Sequence, residues 1–375
     1  MNPNEPIGLY VHIPFCLKKC SYCDFCSFPD FDKQKRKEYI NALKKEILSY
    51  NRKEKISINT VFFGGGTPSI LEADEFEEIY KAILGSFILT DDIEFTIEVN
   101  PKTLTEKKLS KYISCGVNRI SIGLQTIHDN EYKMLGRIHN FEDFQNTYNL
   151  VRRSGIDNIN VDLMYGIPGQ TLDSLAETLR KVAELKPEHI SAYSLILEEG
   201  TRLFDIKDSL VFPDEDADFD MYTLISNFFK EAGYYHYEIS NYAMPGYECQ
   251  HNLKYWRCNE YIGLGLAAYS YFNGERFGNT NKFSEYFSEN PTKYSYRESI
   301  DMESKAYEYV MLSLRLSEGF STEEYKKLFG FDFLSSRKDV ISKFISSGHM
   351  KHENNRIYLT EKGFYISNAI LTELI

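Results

Sequence analysis

The sequence predicts an α/β protein: a partial (β/α)6 barrel of the TIM type, followed by a smaller C-terminal α+β domain that is winged-helix-like. Three observations lead to this prediction. Six short β-prone runs alternate with amphipathic helical patterns up to about residue 205. Gly, Pro or Asn stops several of these runs, as expected at the ends of strands. From about residue 301 the pattern changes to helices followed by one short strand.

Composition limits the classes of protein that fit. The chain has 375 residues, 42% hydrophobic, enough for one large and one small domain. Its 43 basic and 55 acidic residues give a net charge of -12, which argues against a nucleic-acid-binding surface. No apolar run is long enough to span a membrane, and residues 1–6 lack the features of a signal peptide. Seven cysteines then indicate metal or redox ligands in a cytoplasmic protein.

The predicted elements of the barrel follow one another along the first half of the chain. The strands cover residues 8–12, 56–63, 93–99, 119–124, 159–164 and 189–197. The helices cover residues 33–50, 74–84, 105–115, 129–135, 141–154 and 172–185. This alternation is typical of parallel βαβ units, because parallel strands need a crossover connection between them.

We divide the chain into three parts. Residues 1–205 form the barrel, residues 206–295 an aromatic-rich extension with the run His251–Trp256, and residues 296–375 the C-terminal domain. The charge of the last part is mixed and acidic. We therefore interpret it as a cap or a partner surface and not as a DNA-binding unit.

Three cysteines follow the first predicted strand. Cys16, Cys20 and Cys23 lie on the loop that leaves it, at spacings of four and three residues. Thiols in this arrangement can bind three corners of a cubic [4Fe–4S] cluster. The fourth iron then has no protein ligand and is free to bind a substrate or cofactor. The alternative interpretation is a set of buried structural thiols.

Other polar and glycine residues also gather at the ends of predicted strands. Barrels carry their chemistry on the face where the carboxyl ends of the strands meet. The candidates at that face are Gly64–Pro68, Glu98–Pro101, Gln125 and Asp162. A glycine-rich turn lets a backbone approach a ligand, although it is also an ordinary tight turn. The carboxylates and the amide are equally compatible with solvated side chains.

These motifs resemble those of a known family. The cysteine spacing is the signature of the radical S-adenosylmethionine (SAM) superfamily. With YVHIPF before it, at residues 10–15, the chain resembles the oxygen-independent coproporphyrinogen-III oxidase family. Further matching motifs are FFGGGTP at 62–68, EVNP at 98–101, SIGLQT at 121–126 and DLMYGIPGQ at 162–170. The run HNLKYW at 251–256 is similar to the branch of that family that acts as haem chaperones (HemW-type).

The resemblance implies cofactors and roles for individual residues. It implies that the three cysteines bind the [4Fe–4S] cluster and that the open iron chelates SAM. In the family a tyrosine like Tyr10 packs at the sulfonium, and an arginine like Arg137 neutralises the SAM carboxylate. The full expected SAM site is Tyr10, Gly65, Gly66, Thr67, Glu98, Gln125, Arg137 and Asp162.

The resemblance also implies a haem site. His251 is expected to bind haem as an axial ligand or contact, with Tyr255 and Trp256 as an apolar wall. A hydrogen-bonded core histidine is the alternative. Zinc is disfavoured, because Cys249 and Cys258 with nearby histidines match no zinc-binding spacing.

Cys26 departs from the oxidase branch of the family. That branch carries a fourth cysteine two residues after the third, where Phe25 stands here. We interpret Cys26 as a spare thiol outside the cluster; a rescue ligand or a reactive group near substrate are the alternatives.

Two functions are compatible with these motifs. A haem chaperone, which binds haem and delivers it to client haemoproteins such as respiratory ones, is favoured by three features. These are the short lead before Tyr10, Phe25 in place of a cysteine, and the run from His251. The alternative is an oxygen-independent coproporphyrinogen-III oxidase of porphyrin biosynthesis, which converts two propionates to vinyl groups. Whether the protein is an enzyme stays open, and an electron donor is the other expected partner.

Overall fold

The computed structural model describes residues 5–288 and 294–375. Residues 1–4 of the lead before the first strand lie outside the described residues. So do residues 289–293, which precede the predicted domain boundary at residue 295.

Six parallel strands form the centre of the molecule. Strands β1 to β6 span Ile7–Ile13, Ile56–Gly65, Phe87–Val99, Arg119–Gln125, Ile159–Tyr165 and His189–Ser194. Each strand pairs in parallel with the next one in the chain. The predicted (β/α)6 core is therefore confirmed.

Helices α1 to α6 connect these strands. They span Lys33–Ser49, Ala73–Ser86, Glu106–Ser114, Asp129–Met134, Phe141–Arg153 and Leu172–Leu185. Several begin where a polar side chain accepts a backbone N–H of the first turn, as Asp32, Thr105 and Thr171 do. Their apolar faces pack on the sheet, so the main core lies between the helices and the strands.

Two strand boundaries differ from the prediction by three residues or more. β3 begins at Phe87, six residues earlier than expected, because residues 87–89 pair with the start of β2. β6 ends at Ser194 instead of residue 197. Its neighbour β5 ends at Tyr165, which pairs with Ser194, so no partner strand continues beyond that point.

Further strands, which the sequence did not predict, extend this sheet on both sides. They are β7 (Tyr235–Glu238), β8 (Asn241–Ala243), β9 (Tyr261–Leu264), β10 (Tyr269–Phe272), β11 (Glu275–Asn279) and β12 (Tyr294–Ser299). β9 pairs in parallel with β1, and β8 pairs antiparallel with β6. Among the described residues the order is β12-β11-β10-β9-β1-β2-β3-β4-β5-β6-β8-β7. The barrel is therefore open between β1 and β6.

Four helices accompany these strands: α7 (Arg202–Asp205), α8 (Glu215–Glu231), α9 (Gln250–Trp256) and α10 (Phe283–Tyr286). Helix α9 carries the motif at residues 251–256. Glu94 of β3 accepts the N–H groups of Gln250 and His251 at 2.9 and 3.0 Å. The first turn of a helix leaves backbone N–H groups without partners inside the helix, and these two bonds satisfy them. They also fix α9 against the barrel strands.

The C-terminal part is a small α+β unit, as predicted. Its helices are α11 (Met302–Ser313), α12 (Thr322–Phe329), α13 (Phe333–Ser336), α14 (Lys338–Ser346), α15 (Glu361–Tyr365) and α16 (Ser367–Leu374). Strands β13 (Phe320–Ser321), β14 (Met350–Glu353) and β15 (Arg356–Leu359) form an antiparallel sheet. None of the helices among the described residues has the length and apolar character that a membrane span requires.

A buried carboxyl joins α1 to the added strands. Glu46 is 2% exposed and accepts hydrogen bonds from Gly265 N at 2.9 Å, Asn279 Nδ2 at 2.6 Å and the Tyr286 hydroxyl at 2.5 Å. Burial raises the pKa of Glu46 to about 7. This cluster fastens the turn after β9 beside β1, the strand that leads into the cysteine loop.

Replacing Glu46 by Gln should flatten the dependence of stability on pH. The raised pKa means that the folded protein favours the protonated acid. That contribution to the free energy of unfolding is fully present below about pH 4.5 and is lost as the pH rises through about 7. The difference between the two pKa values corresponds to about 3 kcal/mol. Urea unfolding across this pH range measures the effect, with the exposed Glu106→Gln as control. Equal pH dependences for the wild type and Glu46→Gln would contradict it.

Candidate functional site

The loop that carries the three predicted cluster cysteines is anchored at both ends and in the middle. Cys16 N donates to Phe28 O at 3.1 Å, which joins the two ends of the loop. Ser21 N donates to Leu135 O at 2.9 Å, and Leu203 N donates to Ser21 O at 2.8 Å. The structure therefore holds Cys16, Cys20 and Cys23 together at the carboxyl end of β1.

The thiols lie in surroundings suited to an iron–sulfur cluster. Cys16 is buried, and Cys20 and Cys23 are partly exposed. The Thr67 hydroxyl donates to Cys16 Sγ at 3.6 Å, and hydrogen bonds to the sulfurs help to set the reduction potential of such clusters. Burial raises the pKa of both Cys16 and Cys23, so bound iron has to supply the charge that stabilises their thiolates.

The donor set fits a [4Fe–4S] cluster with one open iron. Among the described residues no three His, Cys, Asp or Glu side chains converge on a site for a single metal ion. A cubic cluster does not require such convergence, because each thiolate binds a different iron. A small cleft of about 20 Å³ lies between Cys20 and Arg137.

The glycine turn after β2 is dictated largely by packing within the chain. Gly65 has φ 107°, and a Cβ there would lie 2.4 Å from the His12 ring. A Cβ on Gly66 would lie 2.7 Å from Phe15 O. The N–H groups of Gly65, Gly66 and Thr67 donate within the chain, to Glu98 Oε2, Ile13 O and Phe15 O respectively. These three N–H groups are consequently not free to bind a ligand.

Arg137 is a largely buried cation without an ion pair among the described residues. Its guanidinium donates to His139 Nε2 at 3.0 Å, the Tyr22 hydroxyl at 3.1 Å, Asn100 Oδ1 at 2.6 Å and Gly123 O at 3.1 Å. All four acceptors are neutral, since burial lowers the pKa of His139 to about 3. The charge therefore remains available for an anion such as the SAM carboxylate.

Asn100, which belongs to the candidate run Glu98–Pro101 but not to the expected SAM site, links Arg137 to the first cysteine. Its Oδ1 accepts from Arg137, and its Nδ2 donates to Thr67 Oγ1 at 3.0 Å. Thr67 in turn donates to Cys16 Sγ. The available signal was the position of Asn100 directly after the end of β3.

Gln125 lies at the end of β4 with an unusual backbone and an unused acceptor. Its φ is 72°, where the strand register shifts between Gly123 and Gln125. The side chain is 7% exposed, and Oε1 has no hydrogen-bond partner among the described residues. A buried amide oxygen without a partner is unfavourable unless a ligand donates to it. This geometry fits the predicted role of Gln125.

The predicted carboxyl residues lie together in the lumen of the open barrel. A cavity of about 210 Å³ is lined by Tyr10, Phe62, Glu98, Arg119, Ser121, Asn160, Asp162, Ser191, Tyr193, His251, Asn252 and Tyr255. Asp162 accepts from Asn160 Nδ2 at 2.7 Å and from the Tyr193 hydroxyl at 2.9 Å. Burial, with Asp162 nearby, raises the pKa of Glu98 to about 8. Burial likewise raises the pKa of Asp162. The lumen is therefore polar, and at neutral pH its carboxyl Glu98 favours the protonated form.

His251 lines the same lumen and uses both ring nitrogens within the chain. It is 1% exposed; Nδ1 lies 2.8 Å from Thr60 Oγ1, and Nε2 lies 2.8 Å from the Tyr255 hydroxyl. Burial lowers the pKa of His251 to about 3, which keeps the imidazole neutral. Iron binding through Nε2 consequently requires the hydrogen bond to Tyr255 to break.

The aromatic wall expected beside His251 is only partly present. Tyr255 lines the lumen, but Trp256 packs with Leu253 and Leu316 in a separate small core. Tyr255 and Trp256 are neighbours on one short helix, so their side chains point in different directions. The prediction that Trp256 forms part of this wall is therefore wrong. Tyr255 lies in the lumen lining, where the prediction placed it.

A second cavity, which sequence reasoning missed, adjoins the lumen. This aromatic groove measures about 330 Å³ and is lined by Tyr10, His12, Phe25, Cys26, Tyr255, Tyr261, Ala267, Ala268 and Tyr269. It shares Tyr10 and Tyr255 with the lumen. The Cys26 backbone oxygen accepts from His12 Nε2 at 2.8 Å. Its partly exposed thiol lies at the groove, outside the set of three cluster cysteines.

Sequence comparisons agree with this geometry. The profile of the radical SAM superfamily matches residues 10–182, and that of the HemN C-terminal domain matches residues 300–366. The chain is 33% identical to a protein named heme chaperone HemW from Lactococcus lactis, over 99% of this chain and 98% of that protein. It is 34% identical to proteins of the same name from Haemophilus influenzae and Escherichia coli, over 98% of this chain and 97% of each.

A solved structure shows the same fold. The Escherichia coli coproporphyrinogen III oxidase HemN, described as a radical SAM enzyme, superposes with a TM-score of 0.86 at 22% identity. The match covers 99% of this chain and 90% of that one. It confirms the predicted α/β radical SAM fold with its C-terminal domain. On the full-length similarity to its curated relatives, the chain belongs to the HemW family of the radical SAM superfamily.

Proposed function

We propose that this protein is a haem chaperone that binds haem and delivers it to client haemoproteins. One observation carries the proposal: similarity at 33–34% identity over 98% or more of the chain to proteins named heme chaperone. The aromatic groove supports it, because a flat, apolar macrocycle packs well against aromatic rings. Phe25, in place of the fourth cysteine of the oxidase branch, lines that groove and adds apolar surface to it.

Haem would bind between the aromatic groove and the lumen, with iron at His251. The neutral imidazole is the form that binds iron. Its Nε2 is freed when the Tyr255 hydroxyl turns away, and breaking one such hydrogen bond costs about 1 kcal/mol. Tyr10 and Tyr255 line both cavities and would contact the bound macrocycle.

In the same proposal Cys16, Cys20 and Cys23 hold the [4Fe–4S] cluster and the lumen residues hold SAM. When bound, the cluster supplies an electron for cleavage of the SAM sulfonium bond. Arg137 would pair with the SAM carboxylate, and the turn at Gly65 and Gly66 would hold the ammonium group. The remaining residues of the proposed SAM site are Tyr10, Thr67, Glu98, Gln125 and Asp162. Client haemoproteins and an electron donor complete the set of partners.

Two variants test the haem ligand, one at each partner of the hydrogen bond between His251 and Tyr255. His251→Ala should weaken the Soret band and lower haem affinity, because the proposed iron ligand is lost. Tyr255→Phe should raise haem affinity by about five-fold, because the imidazole no longer gives up a hydrogen bond of about 1 kcal/mol. Spectrophotometric titration with haem measures both. An unchanged affinity in His251→Ala would remove the assignment, and weaker binding in Tyr255→Phe would also contradict it.

The SAM carboxylate site is tested at Asn100. Asn100→Asp places a carboxylate against Arg137 and neutralises its charge, so affinity for SAM should fall at least about ten-fold. The effect of added SAM on the electron paramagnetic resonance spectrum of the reduced cluster measures this affinity. Asn118→Asp, which adds the same charge at an exposed site near the opposite end of β4, should leave it unchanged. Equal affinities in wild type and Asn100→Asp would show that Arg137 does not bind the carboxylate.

A further inference from the structure

Arg119, at the start of β4, is a buried cation that the proposed SAM and cluster sites do not use. Its side chain is 2% exposed and lines the lumen cavity. Nε has no hydrogen-bond partner, and the guanidinium makes no ion pair with any described residue. A buried charge without a partner costs several kcal/mol, so its retention in the lumen points to an anion that pairs with it on binding.

The carboxyl groups around Arg119 are engaged elsewhere. Glu94 accepts from Gln250 N, His251 N and the Cys249 thiol at the start of α9. Glu98 accepts from Gly65 N, and Asp162 from the Asn160 amide and the Tyr193 hydroxyl. Each of the three lies more than 4.0 Å from Arg119, since no ion pair forms. Burial opposes the charge of Arg119, but the nearby Cys249, Glu94 and Asp162 raise its pKa; none of the described side chains forms an ion pair with the guanidinium.

Arg119 and Arg137 belong to different levels of the barrel. Arg137 donates to Gly123 O, which lies four residues beyond Arg119, about 13 Å along β4. The two arginines are therefore anchored at different levels of β4. His251, Asn252 and Tyr255 line the same cavity as Arg119, so the lumen places this cation beside the proposed haem ligand.

We propose that Arg119 binds a propionate of haem in the lumen, while the macrocycle lies where the lumen and the aromatic groove meet, with its iron at His251. The inference rests on the proposed haem-binding function. A cavity of about 210 Å³ accommodates a propionate arm but not a whole tetrapyrrole, and the shared residues Tyr10 and Tyr255 mark where the two cavities meet. Arginine suits this task, because its planar fork forms two parallel hydrogen bonds to a carboxylate.

The test compares haem with haem dimethyl ester, whose propionates carry no charge. The wild type should bind haem at least about ten-fold more tightly than the ester. In Arg119→Gln this preference should fall to about two-fold or less, and in Arg119→Lys it should be intermediate. Arg276→Gln is the matched control, since Arg276 pairs with Glu298 and Glu308 outside the lumen and should leave the preference unchanged.

The outcomes separate the two proposals. A wild type without a haem Soret band would remove the haem-chaperone function and this inference with it. If the wild type binds haem and the ester equally well, the role of Arg119 alone is overturned. The same holds if Arg119→Gln prefers haem over the ester as strongly as the wild type does. If Arg119→Gln loses affinity for SAM but keeps the preference for haem over the ester, the anion that Arg119 binds belongs to SAM. That result would also overturn the role of Arg119 in haem binding.

The stability of the haem-free protein gives a second readout. Because Arg119→Gln removes an unpaired buried charge, its thermal midpoint should equal or exceed that of the wild type. A lower midpoint would show that Arg119 is a structural residue of the apo fold. If Arg119→Gln does not fold, Arg119 is again a structural residue, and its role as a ligand-binding residue is overturned.

Discussion

The pairing of β1 on both of its edges determines the architecture of the site. A strand has two edges for backbone hydrogen bonds, and β1 uses one for β2 and the other for β9. β6 is occupied in the same way by β5 and β8. The barrel consequently cannot close by pairing β1 with β6. Its lumen stays open, α9 packs against the strands at one end, and the face of β1 and β9 continues into the aromatic groove.

This open lumen concentrates groups that are unfavourable in an empty protein. Arg119 and Arg137 have no ion pairs among the described residues, and Gln125 has a buried acceptor without a partner. Burial raises the pKa of both Glu98 and Asp162, and the nearby Asp162 adds to the shift of Glu98. Each of these features is costly in isolation and is relieved by a ligand of complementary charge. In the proposed function they serve two ligands, SAM near the cluster and haem near α9.

The sequence predicted the parts of the fold that have strong local signals. The β1–β6 core and the cysteine loop follow from long apolar runs, regular spacing and a dense motif. Strands β7 to β11 were missed because they contain only three to five residues. β8 and β9 also pair with the distant strands β6 and β1. Arg119 was overlooked because a charge at the start of a strand is ordinary; only its burial in the folded lumen makes it unusual.

The proposed function requires that this chain, which shares its fold with an oxidase, binds haem and does not convert a porphyrinogen. The most direct measurement is anaerobic incubation of the reconstituted protein with coproporphyrinogen III, SAM and a reductant, alongside a haem titration of the same preparation. The account predicts stoichiometric haem binding and no protoporphyrinogen. Formation of protoporphyrinogen over several turnovers would contradict it.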